Sequence, residues 1–439
     1  MAVGYHSIAM ESAATVRAAG LLTAAVISAA AVASAQRDAS GRWLGVLDEH
    51  PAIEYAMRPT TDVVGALNAR LASGERTLAF DAADGYLRPL LAALDVPVAS
   101  QMLVLSRTGV QREVTRPANP RALYFNEQVA VGYIRGAPFL ELIAHDPVQG
   151  AVFYTLDQRA TDRPSLTRQT SCLSCHVASA TMEVPGFLTR SLTAAPDGMP
   201  TLKFFSQALV DHRTPFADRW GGFYVTGHGG ITHRGNVVVD RDGTTRSLVP
   251  AGPRNVATLE GVLPLDGYPS PLSDVTALAV FDHQTRALNL MTRLGWEARV
   301  ARHEGRVPLE SPVVTALVDD LAAYLLFADE APMPGGLSGT SGFREWFSGR
   351  GAHDAAGRSL HQLDLETRLM TYPLSYTIES PAFDALPDDV RQAVADRLVA
   401  RLSAAAPRPG DDRFTADQRR AALAIFRAAY PALAGPPRR

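Results

Sequence analysis

Apolar positions recur at helical spacing early in the chain. Val64, Leu67 and Leu71 share one face of a helix predicted over 60–73, with Thr60 or Thr61 as its cap. A second helix is predicted over 84–94, ended before Pro97, and the prolines at 117 and 120 mark a loop. The pattern then changes to short runs rich in apolar and β-branched residues, at 122–125, 129–134, 139–144 and 151–156. Asn126-Glu127, Gly136-Ala137 and residues 146–150 separate them as turns, which predicts an antiparallel meander. The meander leads into an arginine- and threonine-rich stretch, 161–170. Further on, 201–206 and 222–226 read as strands, and 237–239 with 245–249 as the arms of a hairpin. Asp240-Arg241-Asp242-Gly243 lies between those arms. The downstream ligands of a calcium loop are missing there, and Asp-Gly is a hairpin turn signal.

From residue 273 the pattern is helical. Ser273 is the predicted cap of a long helix reaching about residue 303. Ser311-Pro312 opens another that ends near 328, with proline in its tolerated first turn. Residues 387–404 carry Val390, Val394 and Leu398 along one face. Thr415-Ala416-Asp417-Gln418 is a capping box that opens the last helix, and Pro431 stops it. Residues 335–342 are glycine-rich but lack the Gly-Lys-Ser/Thr of a phosphate loop, so they read as a flexible connector. No internal repeat is present. The predicted class is α+β: an antiparallel strand meander and a loop-rich segment, followed by a mainly α-helical C-terminal part. The regions expected are 36–160, 161–270 and 271–439, after a leader over 1–35.

Composition narrows the class. The chain has 439 residues, 46% hydrophobic and 20% charged, enough for two domains or one domain with a large core. A net charge of −3 argues against a general nucleic-acid or anionic-lipid surface. The leader assignment rests on Arg17, the alanine-rich apolar run over 18–33, and the small-x-small pattern Ala33-Ser34-Ala35. The run is short and weakly apolar for a bilayer span, with a retained anchor as the alternative. No cysteine follows the cleavage site, which argues against lipidation. The expectation is a periplasmic or secreted bacterial chain starting near Gln36, with no membrane span after cleavage.

The chemistry centres on Cys172-Leu173-Ser174-Cys175-His176. A C-x-x-C-H pentapeptide is an attachment site for a c-type haem. Two thiols three positions apart can add across the vinyl groups of one porphyrin, and the adjacent imidazole then becomes the proximal iron ligand. The chain has only these two cysteines, so neither has a third thiol partner for a disulfide or a zinc site. A redox dithiol is the non-haem alternative. It would require a thioredoxin-like βαβ unit and a depressed thiol pKa.

At this pentapeptide the chain resembles the c-type cytochromes, over residues 172–188 only. In that family a proline downstream presents its carbonyl to the ring Nδ1–H. The resemblance implies that role for Pro185, in Val184-Pro185-Gly186-Phe187-Leu188. Arg219-Trp220-Gly221-Gly222-Phe223-Tyr224 and His283-Gln284 resemble blocks of large exported single-haem bacterial proteins of unassigned activity. The resemblance also implies export, because c-type attachment occurs outside the bacterial cytoplasm.

A sixth ligand would decide the function, since an iron with two protein ligands mainly passes electrons whereas one with a single ligand binds small molecules. Met182 and Met199 are candidates, each with a packing or turn role as the alternative. Among histidines, His228 in Thr226-Gly227-His228-Gly229-Gly230 is the first choice, because flanking glycines let backbone approach a flat macrocycle. His283 is the second. It shares an apolar helical stripe with Ala279, Ala287, Leu290 and Leu294, and a satisfied core histidine is its alternative. His212 and His233 are further candidates, the latter for a propionate or substrate. Trp220 and Arg219 are expected haem contacts, an edge-packing ring and a propionate partner. Two functions follow: periplasmic electron transfer to a redox partner through one covalent haem c, or a haem enzyme acting on peroxide, oxygen or a nitrogen oxide. In the second, His228 or His233, with Arg219 or Arg234, would serve at the distal side.

Overall fold

A computed structural model describes residues 47–201, 209–250, 254–406 and 413–433. The leader over 1–35 and positions 202–206 of one predicted strand lie outside the described residues.

Helix α1, Val63–Ser73, buries Val64, Leu67 and Leu71, as the spacing predicts. Its cap is Asp62 rather than Thr60 or Thr61: the Asp62 carboxylate accepts from the Val64 and Gly65 amides at 2.8 and 2.9 Å. Helix α2, Leu87–Ala93, follows. Six antiparallel strands then pair in chain order: β1 Met102–Val104, β2 Arg121–Phe125, β3 Val129–Tyr133, β4 Phe139–Asp146, β5 Gly150–Asp157 and β6 Leu166–Arg168. The four central strands are the predicted meander. β1 and β6, three residues each, extend it at the two edges.

Alternation gives this sheet two unlike faces. Ala122, Tyr124, Val131, Leu142, Val152 and Tyr154 point to one face and are buried with the apolar stripes of α1 and α2. On the other face Phe125, Ala130, Ala151 and Phe153 join the main core, whereas Arg121, Leu123, Glu141, Ile143 and Thr155 are only half-buried. Register pairs Leu123 with Gly132, Gly132 with Glu141 and Glu141 with Thr155, so the half-buried residues form a continuous stripe around a position without a side chain.

The one-turn helix α3, Leu173–His176, follows β6. The predicted strand over 222–226 forms only isolated bridges, Val104 to Phe223 and Thr226 to Val256 and Asp274. Strands β7, Val237–Val239, and β8, Thr245–Ser247, make the expected hairpin, closed by the Asp240 turn.

Helix α4, Val275–His303, is the spine of the molecule; its 29 residues span about 43 Å at 1.5 Å each. Asp274 caps it, accepting from the Thr276 and Ala277 amides. Ser273, the predicted cap, instead donates its hydroxyl to the Tyr224 carbonyl and accepts from the Leu103 amide, tying the helix entry to β1. Helices α5 Pro312–Leu325, α6 Phe343–Ser348, α7 Pro381–Asp384, α8 Asp388–Ser403 and α9 Ala416–Ala429 complete the fold. α5 lies against α4 and α8, and α9 packs on α8. The Thr415–Gln418 capping box opens α9 as predicted. The fold is α+β, and residues from all three expected regions meet in one core, from Phe125 and Phe187 to Phe426. Among the described residues no helix is long and apolar enough to cross a membrane.

Candidate functional site

The pentapeptide forms the single turn α3, in which the His176 amide bonds back to the Cys172 carbonyl at 3.1 Å. Thiols at this spacing lie on one side of the turn. Cys172 is half-buried against the main core and Cys175 is exposed. Burial and the nearby Glu141 carboxylate push the Cys172 thiol up from its ordinary value.

The His176 ring is fixed from two sides. Its Nδ1–H donates to the Gly186 carbonyl at 2.9 Å, and the Gly186 amide returns a bond to the His176 carbonyl at 3.1 Å. The Phe153 ring packs on it at 4.8 Å between centroids. Burial lowers its pKa, and Arg121 and Arg190 reinforce the effect. A neutral imidazole whose Nδ1–H is engaged keeps its Nε2 lone pair for a metal.

The carbonyl accepting that proton belongs to Gly186 and not to Pro185. Pro185 turns its carbonyl to the Ala151 amide at 2.9 Å, anchoring the loop to β5. The displacement by one residue follows from the packing at Gly186. A β-carbon there would sit 2.5 Å from Asn289 Oδ1 and 2.9 Å from Thr181 Cβ, so only glycine brings the chain this close to α4. Asn289 in turn grips the next residue with both ends of its amide, accepting from the Phe187 amide at 2.9 Å and donating to the Phe187 carbonyl at 2.8 Å. One turn further along α4, Arg293 donates to the Met182 carbonyl at 2.7 Å.

The structure does not bring the histidine candidates to this centre. His228 is exposed, and its backbone pairs with Ser338 of the connector. Its neighbour Gly227 abuts Val275 at the start of α4, whereas the His176 loop abuts Asn289. Fourteen residues of helix separate those contacts, about 21 Å. His283 is fully buried with both ring nitrogens engaged: Nδ1 meets His212 Nδ1 at 2.7 Å and Nε2 meets Ser375 Oγ at 2.6 Å. Tyr324 and Phe327 stack on its ring. It is a core histidine, and His212 is its partner. His233 is buried too, accepting from the Gly235 amide and facing Asn255 at 3.0 Å. Met182 packs its side chain on the main core, and Met199 is exposed.

Arg219 and Trp220 face α4 rather than α3. Trp220 Nε1–H donates to Asp282 at 2.9 Å and Arg219 lies 3.6 Å from the same carboxylate, while its guanidinium also serves the Thr214 and His212 carbonyls. All three residues are buried, and burial raises Asp282 to about 7. The pair expected as haem contacts thus neutralises and orients a core aspartate. Arg234 pairs with Asp218. Gly186 lies in the segment that the resemblance marks, one residue beyond the expected carbonyl; no spacing in the sequence links Asn289, Arg293, Arg121 or Arg190 to the pentapeptide, and Phe153 is legible only as a strand residue.

Comparison with family models, with curated proteins and with solved structures returns no match for this chain.

Proposed function

We propose that this chain is an exported monohaem protein of the c type whose role is periplasmic electron transfer. One observation carries the reading: beside two free thiols, His176 is pinned through Nδ1 to the Gly186 carbonyl, the outer-shell partner that haem-ligating imidazoles require. The residues present fit the group. Cys172 and Cys175 would hold the porphyrin by thioethers, each S–H adding across one vinyl C=C, and His176 would bind the iron through Nε2. Leu123 and Ile143, half-buried on the sheet face that carries Phe153, offer apolar surface to the ring. Arg121 and Arg190 act electrostatically on His176 and suit carboxylate propionates. When bound, the group supplies a one-electron couple.

Exposure of Cys175, with Ser171 and Ser174, supports the electron-transfer role, because the tethered porphyrin edge would face a partner directly. The dithiol alternative is disfavoured. The sheet of the described residues is antiparallel throughout, and the Cys172 thiol is raised where an exchange catalyst needs it lowered. A second haem reading, catalysis at an open iron, draws support from the positions of His228 and His283, neither of which faces His176. Carbon monoxide difference spectra distinguish the two. The relay is expected to keep a low-spin spectrum in carbon monoxide; prompt formation of a carbonyl adduct replaces it with the ligand-binding reading.

A further inference from the structure

The loop that carries the Gly186 carbonyl has no regular structure of its own, yet it must present one oxygen to one ring nitrogen. Between α3 and Phe187 the chain makes a 3-10 turn over Ser179–Thr181, and Met182 and Glu183 follow at φ of 63° and 59°, in the left-handed region. Two L-residues in that region cost free energy that outside contacts must offset. Those contacts come from α4. Asn289 takes both backbone groups of Phe187, and Arg293, on the same helix face one turn on, takes the Met182 carbonyl. Arg293 is itself steadied by Glu297 at 2.6 Å. Asn289 is buried, so it gives up water for these two bonds alone.

We propose that Asn289 is the positioning residue for His176: by fixing Phe187, it fixes the Gly186 carbonyl and thereby the donor strength of the imidazole toward iron. This rests on the haem reading above. A residue of α4, 113 positions beyond His176, thereby becomes a determinant of the cofactor's reduction potential. A firmly held Nδ1–H bond makes the imidazole a better donor and favours ferric iron. Loosening it raises the potential.

The test uses the full mature chain produced in a host that attaches haem c. Covalent haem is measured by pyridine haemochrome, and the potential by spectroelectrochemistry, for the native chain, Asn289→Ala, Asn289→Ser and Gln284→Ala. Gln284 is a buried amide on the same helix that bonds the Asn126 carbonyl and Tyr376 instead, so its loss is structural only. Asn289→Ala is expected to hold haem and shift the oxidised-to-reduced ratio about tenfold toward reduced, about 59 mV upward for one electron. Asn289→Ser, which keeps a hydroxyl for one of the two bonds, is expected to shift less and serves where alanine fails to fold. Gln284→Ala is expected to leave the potential unchanged. Asn289 variants that retain haem at the native potential, or a Gln284→Ala shift of equal size, overturn the proposal. A native chain that carries no haem overturns the underlying reading instead.

Discussion

Replacing Gly186 with alanine probes the contact on which the site is built. The added β-carbon would meet Asn289 Oδ1 at 2.5 Å and both Asn289 Cγ and Thr181 Cβ at 2.9 Å. These separations are too short for real atoms, and both neighbours are buried, so one side must give way. If Asn289 retreats, the 2.9 and 2.8 Å bonds to Phe187 are lost; if the loop retreats, the 2.9 Å bond from His176 is lost as well. Two buried hydrogen bonds at about 1 kcal/mol each, plus overpacking of about 1–3 kcal/mol, give a destabilisation of about 3–5 kcal/mol. In urea, at a slope of about 3 kcal/mol per M, the unfolding midpoint falls by about 1–1.7 M. Gly230→Ala is the matched control. Its β-carbon would find nothing closer than 3.8 Å, and its midpoint is expected to stay within about 0.2 M. Equal midpoints for the two variants would refute the close-packing argument at Gly186.

Other expectations follow from burial. His283→Ala removes the partner of His212 and one of the partners of Ser375 and should cost about 3–4 kcal/mol in denaturant unfolding, whereas His228→Ala should cost under about 0.5 kcal/mol. Acid should destabilise the fold below about pH 6.5. Burial holds His145 and His233 near 4 and His283 near 3, and pushes His212 low as well. The unfolded chain therefore takes up protons that the folded chain refuses, and this stability, full above about 6.5, is lost as pH falls toward 4. Asp282 and Glu330, raised to about 7, act in the opposite sense, because the folded chain keeps protons that the unfolded chain has released. The histidines, which exchange protons directly across this range, set the sign, so stability falls toward acid between about pH 6.5 and 4.5. A thermal melt series across that range showing constant or rising stability toward acid would contradict it.

Much of the architecture was legible because local pattern and final environment agree. The meander strands are bounded by turn residues, and α9 carries both halves of its capping box in four consecutive positions. The discrepancies arise where tertiary contacts decide. Ser273 has the chemistry of a cap, but β1 claims its hydroxyl and Asp274, one residue on, takes the helix start. Residues 222–226 have a strand's composition, yet they run beside β1 only at Gly222–Tyr224 and pass to Val256 and Asp274 at Thr226, so the pairing stops at isolated bridges. The candidate site divides the same way. Three residues of the pentapeptide announce a chemistry by spacing alone. The glycines around His228 answer to a close approach by the 335–338 connector and not to a macrocycle: a β-carbon on Gly227 would sit 2.6 Å from the Ser338 carbonyl. Asn289 has no local signature, because its role exists only once α4 and the Gly186 loop are folded together.

The central claim is that Cys172, Cys175 and His176 carry one covalent haem. Intact mass spectrometry of the denatured mature chain, from a host able to attach haem c, tests it most directly. A single species heavier by one haem, reverting to the bare polypeptide mass in a Cys172→Ala, Cys175→Ala double variant, is the result predicted; native chain at the bare polypeptide mass would contradict it.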